Sequence, residues 1–216
     1  MSRPEQLLIT EIFHSLQGES TTVGLPTVFV RLTGCPLRCR YCDTEYAFTG
    51  GKYLDFGEIM QQVAQYGARH VTVTGGEPLA QANCPALLTL LCDAGYRVSL
   101  ETSGALDLSA VDQRVMKVMD IKTPGSGEMD KNRFDNLQYL CGDDQVKFVL
   151  CSREDYDWAR RCIEEHALTQ RCEVLLSPSF AQLDATDLAD WILQDRLAVR
   201  MQLQLHKILW GDQPGK

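Results

Sequence analysis

The sequence predicts an α/β fold of parallel strands joined by helices, and three observations predict it. Short β-branched runs recur near residues 27–33, 70–74, 97–102, 117–121, 146–151 and 172–177. Segments of helical period fall between most of them, and helix start and stop residues punctuate those segments. Such alternation demands parallel strands joined by right-handed crossovers, as in an α/β barrel or an open doubly wound sheet. Six strands are too few for a complete eight-unit barrel.

Taken in order, a further strand at 7–13 precedes a glycine-containing loop and extends the sheet or its edge. After the first parallel run, Asp55 and Glu58 form a capping-box pattern before Ile59, Met60, Val63 and Ala64, and Gly67 is placed to end that helix. Pro85 suits the first turn of a helix carrying Leu87, Leu88, Leu90 and Leu91 and stopping at Gly95. The segment 123–128, with Pro124, Gly125 and Gly127, is the first candidate for a mobile loop, with a plain turn as the default reading. Ser152 with Asp155 opens a helix bearing Trp158, Ala159, Cys162 and Ile163, and another helix spans about residues 185–194. A last strand is expected at 199–205.

The 216 residues fit one domain, 1–216, and 44% hydrophobic composition is enough for a sizeable core. A formal net charge of -8 argues against a basic surface gripping a phosphate backbone, so direct nucleic-acid binding is not expected and a small-molecule substrate fits better. The start of the chain lacks a positive region followed by a long apolar stretch, and no run of about 18 apolar residues occurs, so neither export nor a membrane span is indicated and a cytoplasmic location is expected. Nine cysteines are an odd count, and Cys84, Cys92, Cys141, Cys151, Cys162 and Cys172 sit singly in apolar contexts, as small buried hydrophobes of a reducing compartment do.

The other three cysteines are grouped as Cys35-x3-Cys39-x2-Cys42, just beyond a strand. Three thiolates can hold a four-iron cluster and leave one iron without a protein ligand, whereas a fourth would complete the ligand shell of an electron carrier. A structural zinc is the competing reading; it needs a fourth ligand from elsewhere, such as His14, His70, Cys84 or Cys92. Gly75-Gly76-Glu77-Pro78 follows the next strand directly, and glycines there let backbone approach a ligand closely. Both groups fall at the carboxyl ends of adjacent parallel strands, the edge where α/β proteins assemble sites.

Cys35-x3-Cys39-Arg40-Tyr41-Cys42 followed by Gly75-Gly76-Glu77 resembles the radical S-adenosylmethionine (SAM) enzymes. The resemblance implies an incomplete parallel barrel with additional terminal strands, one 4Fe-4S cluster on Cys35, Cys39 and Cys42, and SAM on the open iron, cleaved by one electron to a 5'-deoxyadenosyl radical. It implies SAM contacts from Tyr41, Cys42, Asp43 and Gly76. Ser15-Leu16-Gln17-Gly18-Glu19-Ser20, Arg31, Cys42-Asp43-Thr44 and Gln204-Leu205-His206-Lys207 narrow the match, and together they resemble the 7-carboxy-7-deazaguanine synthases over nearly the whole length.

That family contracts 6-carboxy-5,6,7,8-tetrahydropterin to 7-carboxy-7-deazaguanine with loss of ammonia, on the route to queuosine and other deazapurines. The resemblance implies a pterin site lined by Leu16, Gln17, Gly18 and Glu19, with Arg31 gripping the substrate carboxylate and Thr74 and His206 also touching substrate. It further implies Mg2+ on Thr44, further SAM contacts from Lys122 and Ser177, an external electron donor such as flavodoxin, and a homodimer. Ser20 and Leu205 depart from the family, which often has glycine and threonine there. The tail 208–216 is transferred no contact. Two other readings compete: an activating enzyme that makes a glycyl radical on a partner protein, and a non-enzymatic zinc or iron-sulfur module.

Overall fold

The computed structural model describes residues 5–211, 213 and 215. Met1 to Pro4 of the expected unremarkable start, and Asp212, Pro214 and Lys216 of the tail, lie outside the described residues. Nine strands form one sheet in the order β3-β1-β2-β4-β5-β6-β7-β8-β9. β2 (Pro26–Leu32), β4 (His70–Gly75), β5 (Arg97–Thr102), β6 (Met116–Asp120), β7 (Gln145–Leu150) and β8 (Glu173–Pro178) are the six expected runs, and each is parallel to the next. β1 (Gln6–Leu16) runs antiparallel to β2, and β3 (Lys52–Asp55) antiparallel to β1. With β3 at one edge and β9 (Arg200–Met201) at the other, the sheet is a partial α/β barrel that does not close.

Side-chain alternation sorts each strand into two faces. Val28, Val30 and Leu32 of β2, Val71 and Val73 of β4, Val98 and Leu100 of β5, and Val146, Phe148 and Leu150 of β7 form the core under the helices. The alternate positions face the barrel interior, and several of them are polar, Thr72, Thr74, Ser99, Glu101, Asp120 and Lys147, beside the apolar Phe29, Val118 and Val149. An apolar outer face packs the helices, leaving the inner face free for chemistry.

α1 (Phe56–Gln65) opens on the expected capping box, in which Asp55 and Glu58 exchange side chain to backbone bonds. α2 (Cys84–Asp93) begins beside Pro85 and ends before Gly95, whose φ of +87° suits glycine. α3 (Arg153–Glu165) is capped by Ser152, which accepts from the Asp155 N–H, and α4 (Ala185–Asp195) by Asp184.

Two expectations need correction. The last strand does not run over 199–205: it is two residues long, and Leu205 opens a helix, α5 (Leu205–Trp210). The ladder to β8 ends after the Gln202 N–H reaches the Leu176 carbonyl; the Leu205 N–H then goes to the Gly18 carbonyl, and Leu205, Ile208 and Leu209 repeat at helical spacing. His206 is therefore helical. The crossover from β5 to β6, one of those for which no helix was expected, carries no α-helix and is held by the buried Asn136 side chain, which accepts from the Leu108 N–H and donates to the Gly104 and Leu106 carbonyls. The loop expected to be mobile is tied down: Gly125 donates to Asp155 at 2.7 Å and Ser126 to the Thr123 carbonyl at 2.6 Å.

Candidate functional site

The loop after β2 carries the three cysteines, and its neighbours fix its path. The Arg40 N–H donates to the Ser126 carbonyl at 2.9 Å, and the Arg38 N–H to Glu128 at 2.7 Å, so the 123–128 loop buttresses it. On the other side the Glu77 N–H reaches the Gly34 carbonyl at 2.8 Å. A Cβ on Gly76 would lie 2.2 Å from the Gly34 oxygen and 2.8 Å from the Cys35 Cβ, so only glycine lets the Gly-Gly-Glu-Pro turn close onto the cysteine loop. Glu77 is fully buried beneath it and accepts from Thr102 and Ser103.

A cavity of about 620 Å³ opens at the carboxyl ends of the parallel strands. It is lined by Cys35, Cys39 and Cys42 and by every other residue expected at the site (Leu16, Gln17, Gly18, Glu19, Arg31, Tyr41, Asp43, Thr44, Thr74, Gly76, Lys122 and His206) except Ser177. Ser177 is buried in β8 and does not reach the lining; Ser179, two residues on, does. Not anticipated were Glu101, Asp120, Lys147 and Gln204, each a lining residue. The period of two in β5, β6 and β7 was the available clue, since a charged residue inside an otherwise apolar strand must face something polar.

At the cofactor end, burial raises the thiols of all three cysteines, to about 11 for Cys39 despite the nearby cation of Lys122. Iron would displace these protons on binding, because a thiolate is the metal ligand. Lys122 pairs with Asp120 at 3.1 Å and sits 5.7 Å from the Tyr41 ring centre. Burial opposes its charge, but Asp120 and Cys39 outweigh burial and raise its pKa. The Tyr41 hydroxyl and one oxygen of Asp120 are buried without a hydrogen-bond partner. Orphaned polar atoms facing a cavity fit a polar ligand there.

The other end is built on the loop after β1. Gln17 donates to Thr72 at 3.1 Å and to Glu101 at 3.3 Å, and Thr74 donates to the second Glu101 oxygen at 3.0 Å. Glu19 accepts from Lys147 at 2.5 Å and from Gln204 at 2.9 Å. Two buried glutamates thus differ: burial would raise Glu19, but the Lys147 charge and hydrogen bond overcome it and its pKa is lowered, whereas burial raises Glu101. Lys147 also lies 3.7 Å from Asp120, so Glu19, Lys147, Asp120 and Lys122 form a chain of alternating charge from one end of the cavity to the other.

α5 covers this end. A Cβ on Gly18 would lie 2.1 Å from His206 Nδ1, which explains glycine at that position, and Lys207 pairs with Asp43 at 3.6 Å. Thr44 donates to Asp43 at 2.7 Å. Gly211, Gln213 and Gly215 of the tail also line the cavity, a contribution the sequence reading left out.

The only cysteines among the lining residues are the three of the loop. The candidate fourth ligands for zinc lie elsewhere: Cys84 is fully buried in α2, His70 begins β4 at the opposite end of the sheet, and His14 stacks on Tyr66. Among the described residues no three His, Cys, Asp or Glu side chains converge on a single metal position.

The radical SAM superfamily matches residues 29–120. The 7-carboxy-7-deazaguanine synthase of Chlorobaculum tepidum is 46% identical, over 98% of this chain and 97% of that protein. The protein of the same name from Koribacter versatilis is 42% identical over 94% of this chain and 96% of its own length. Among solved structures, QueE from Escherichia coli superposes with a TM-score of 0.76 at 23% identity, covering 92% of this chain and 94% of that one, a likeness of fold.

Proposed function

The chain belongs to the 7-carboxy-7-deazaguanine synthases of the radical SAM superfamily, and on that premise we propose which residues serve its cofactors and which its substrate. The reaction converts 6-carboxy-5,6,7,8-tetrahydropterin to 7-carboxy-7-deazaguanine with loss of ammonia, a step of deazapurine biosynthesis. The observation that carries the residue assignment is that one cavity joins the three-cysteine loop to a wall of buried donors and acceptors. A cofactor end and a substrate end share one open cavity.

Cys35, Cys39 and Cys42 would hold the 4Fe-4S cluster, and the cluster together with SAM would supply the radical chemistry that begins the reaction. Gly76 brings backbone against the cofactor, and the partnerless Tyr41 hydroxyl and Asp120 oxygen offer it a donor and an acceptor. Lys122 keeps a positive charge beside them, and Asp43 flanks the same loop. Ser179 is a better candidate than Ser177 for the contact from the last parallel strand.

Gln17, Glu19 and Glu101 present amide and carboxylate groups to the pterin's fused pattern of donors and acceptors, with the Gly18 backbone and the ends of Leu16, Thr74 and His206 around them. Arg31 takes the substrate carboxylate, since its planar fork matches that group bidentately. The Thr44 hydroxyl donates to Asp43 and keeps its lone pairs, which suits a magnesium ion bound through oxygen with substrate and water completing its shell. Glu19 held ionised by Lys147 can accept a proton or a pterin N–H, and Glu101, raised, can donate one.

A homodimer, a flavodoxin-type electron donor and a cytoplasmic setting complete the reading. Exposed Phe180, Leu203, Ile208 and Leu209 near the open edge support a second copy there, and no described helix is long and apolar enough to cross a membrane. A glycyl-radical activating enzyme would need a surface that docks a protein backbone, whereas the charges here are buried or half-buried in the cavity wall. Anaerobic reconstitution with iron and sulfide, then SAM, dithionite, magnesium and 6-carboxytetrahydropterin, tests the assignment by mass spectrometry. 7-Carboxy-7-deazaguanine is the expected product, with turnover falling when magnesium is withheld; 5'-deoxyadenosine alone would reopen the substrate assignment.

A further inference from the structure

β1 contains an irregularity that the core does not need. Its register against β2 shifts between Ile9, opposite Leu32, and Glu11, opposite Arg31. In an unbroken strand Ile9, Glu11 and Phe13 would share one face, and Leu7 and Ile9 lie in the core under the helices. The extra residue, Thr10, turns the rest of the strand over, so Phe13 stacks on Phe29 and lines the cavity, and Glu11 meets Arg31 on that same face.

Glu11 Oε1 accepts from Arg31 Nε at 2.7 Å and from the Tyr46 hydroxyl at 2.8 Å. The guanidinium lies 5.6 Å from the Phe13 ring centre and 5.8 Å from that of Tyr46. Neither terminal nitrogen of Arg31 has a protein hydrogen bond among the described residues. A guanidinium held by Nε between two rings keeps its two-nitrogen edge for a ligand, and that edge makes paired bonds to a carboxylate. Tyr46 belongs to the turn Glu45–Ala47 that Thr44 precedes, so the same carboxylate oxygen also fixes that turn relative to Arg31.

We propose that Glu11 and Tyr46 are positioning residues, which set the Arg31 fork as a receptor for the substrate carboxylate at a fixed spacing from Thr44. The proposal rests on the assignment of Arg31 to that carboxylate. Its effect is preorganisation: the fork is held before substrate arrives, so less side-chain freedom is lost on binding.

Steady-state kinetics on reconstituted full-length enzyme test this with Glu11→Ala, Glu11→Gln, Tyr46→Phe and Arg31→Lys, alongside Kd values for tetrahydropterin, which lacks the 6-carboxylate. Glu11→Ala is expected to raise KM for the carboxylated substrate about tenfold, the worth of one hydrogen bond to a charged group, far more than it lowers kcat. Glu11→Gln, whose amide oxygen still accepts both bonds, should recover most of that loss. Affinity for tetrahydropterin should not move in either variant. An unchanged KM in Glu11→Ala, or equal weakening of both pterins, would overturn the proposal. Should Glu11→Ala fail to fold, Tyr46→Phe decides: about a threefold rise in KM for the carboxylated pterin alone supports it, and no rise overturns it. Arg31→Lys separates the two ideas, since an unchanged KM there removes Arg31 from the carboxylate, whereas a raised KM there with none in Glu11→Ala removes only the positioning role.

Discussion

Two buried lysines, thirty residues apart, pair with carboxylates and do opposite things. Lys117 and Asp144 are almost wholly buried between β6 and β7, and every polar atom there is used: Asp144 accepts from the Lys117 N–H, the Cys141 N–H and the Lys117 ammonium, which also reaches the Val115 carbonyl. Lys147 and Glu19 are less deeply placed, 12% and 9% exposed at their side chains against 3% and 1%; they line a cavity, and their neighbour Asp120 keeps one oxygen without a partner. A completed network holds strands together; an incomplete one at a cavity is finished by a ligand. The same pair of residue types carries stability in one place and recognition in the other.

The comparison can be broken by removing either lysine. Lys117→Met strands a buried carboxylate and should cost about 3–5 kcal/mol of stability, read by chemical denaturation, while turnover per folded molecule is unchanged. Lys147→Met should lose about 10²-fold in product formation, because Glu19 and Asp120 lose the cation that orients them, with a smaller fall in stability than Lys117→Met since water reaches the cavity. Equal stability losses in the two variants would end the distinction.

Acidity sharpens it within the cavity. Glu19 is lowered, so its share of stability is complete above the ordinary glutamate value of 4.5 and is lost as pH falls through its folded pKa. Glu101 is raised, so the native state binds the extra proton between 4.5 and its folded pKa, and stability falls as pH rises through that window. Thermal unfolding against pH should therefore show wild type losing ground to Glu19→Gln on acidification and to Glu101→Gln on moving towards neutrality. Each slope is at most about 1.4 kcal/mol per pH unit for one proton.

The smallest effect concerns Ser20, which holds φ of +68° in the loop after β1. Its N–H is fixed by Gln202 at 2.8 Å and its hydroxyl meets Thr22 at 2.8 Å, so the loop keeps its shape despite the left-handed backbone. Ser20→Gly should stabilise by no more than about 1 kcal/mol, visible as a small rise in Tm. The departure from glycine is thus a matter of strain and leaves the cavity lining intact.

Much of this molecule was legible in its residues taken in order. The six parallel strands, the caps at Asp55 and Ser152, the cysteine triplet and the Gly-Gly-Glu-Pro turn depend on propensity, capping and spacing within a few positions, interactions a linear chain displays. Only the tertiary structure decided the rest. Glu19 meets Lys147 across 128 positions and Gln204 across 185, and no local rule pairs them. Whether Glu11 faces the core or the cavity turns on one extra residue in β1, because the side-chain period of a strand is two and a single shift reverses the face. Whether residues 199–205 extend the sheet turned on which carbonyl their N–H groups reached, and the Gly18 oxygen won over the edge of β8. The cysteine and glycine motifs were therefore written in the chain, and the polar wall proposed to receive the substrate was made by folding, which brings separately ordinary charges onto one face at hydrogen-bond distance.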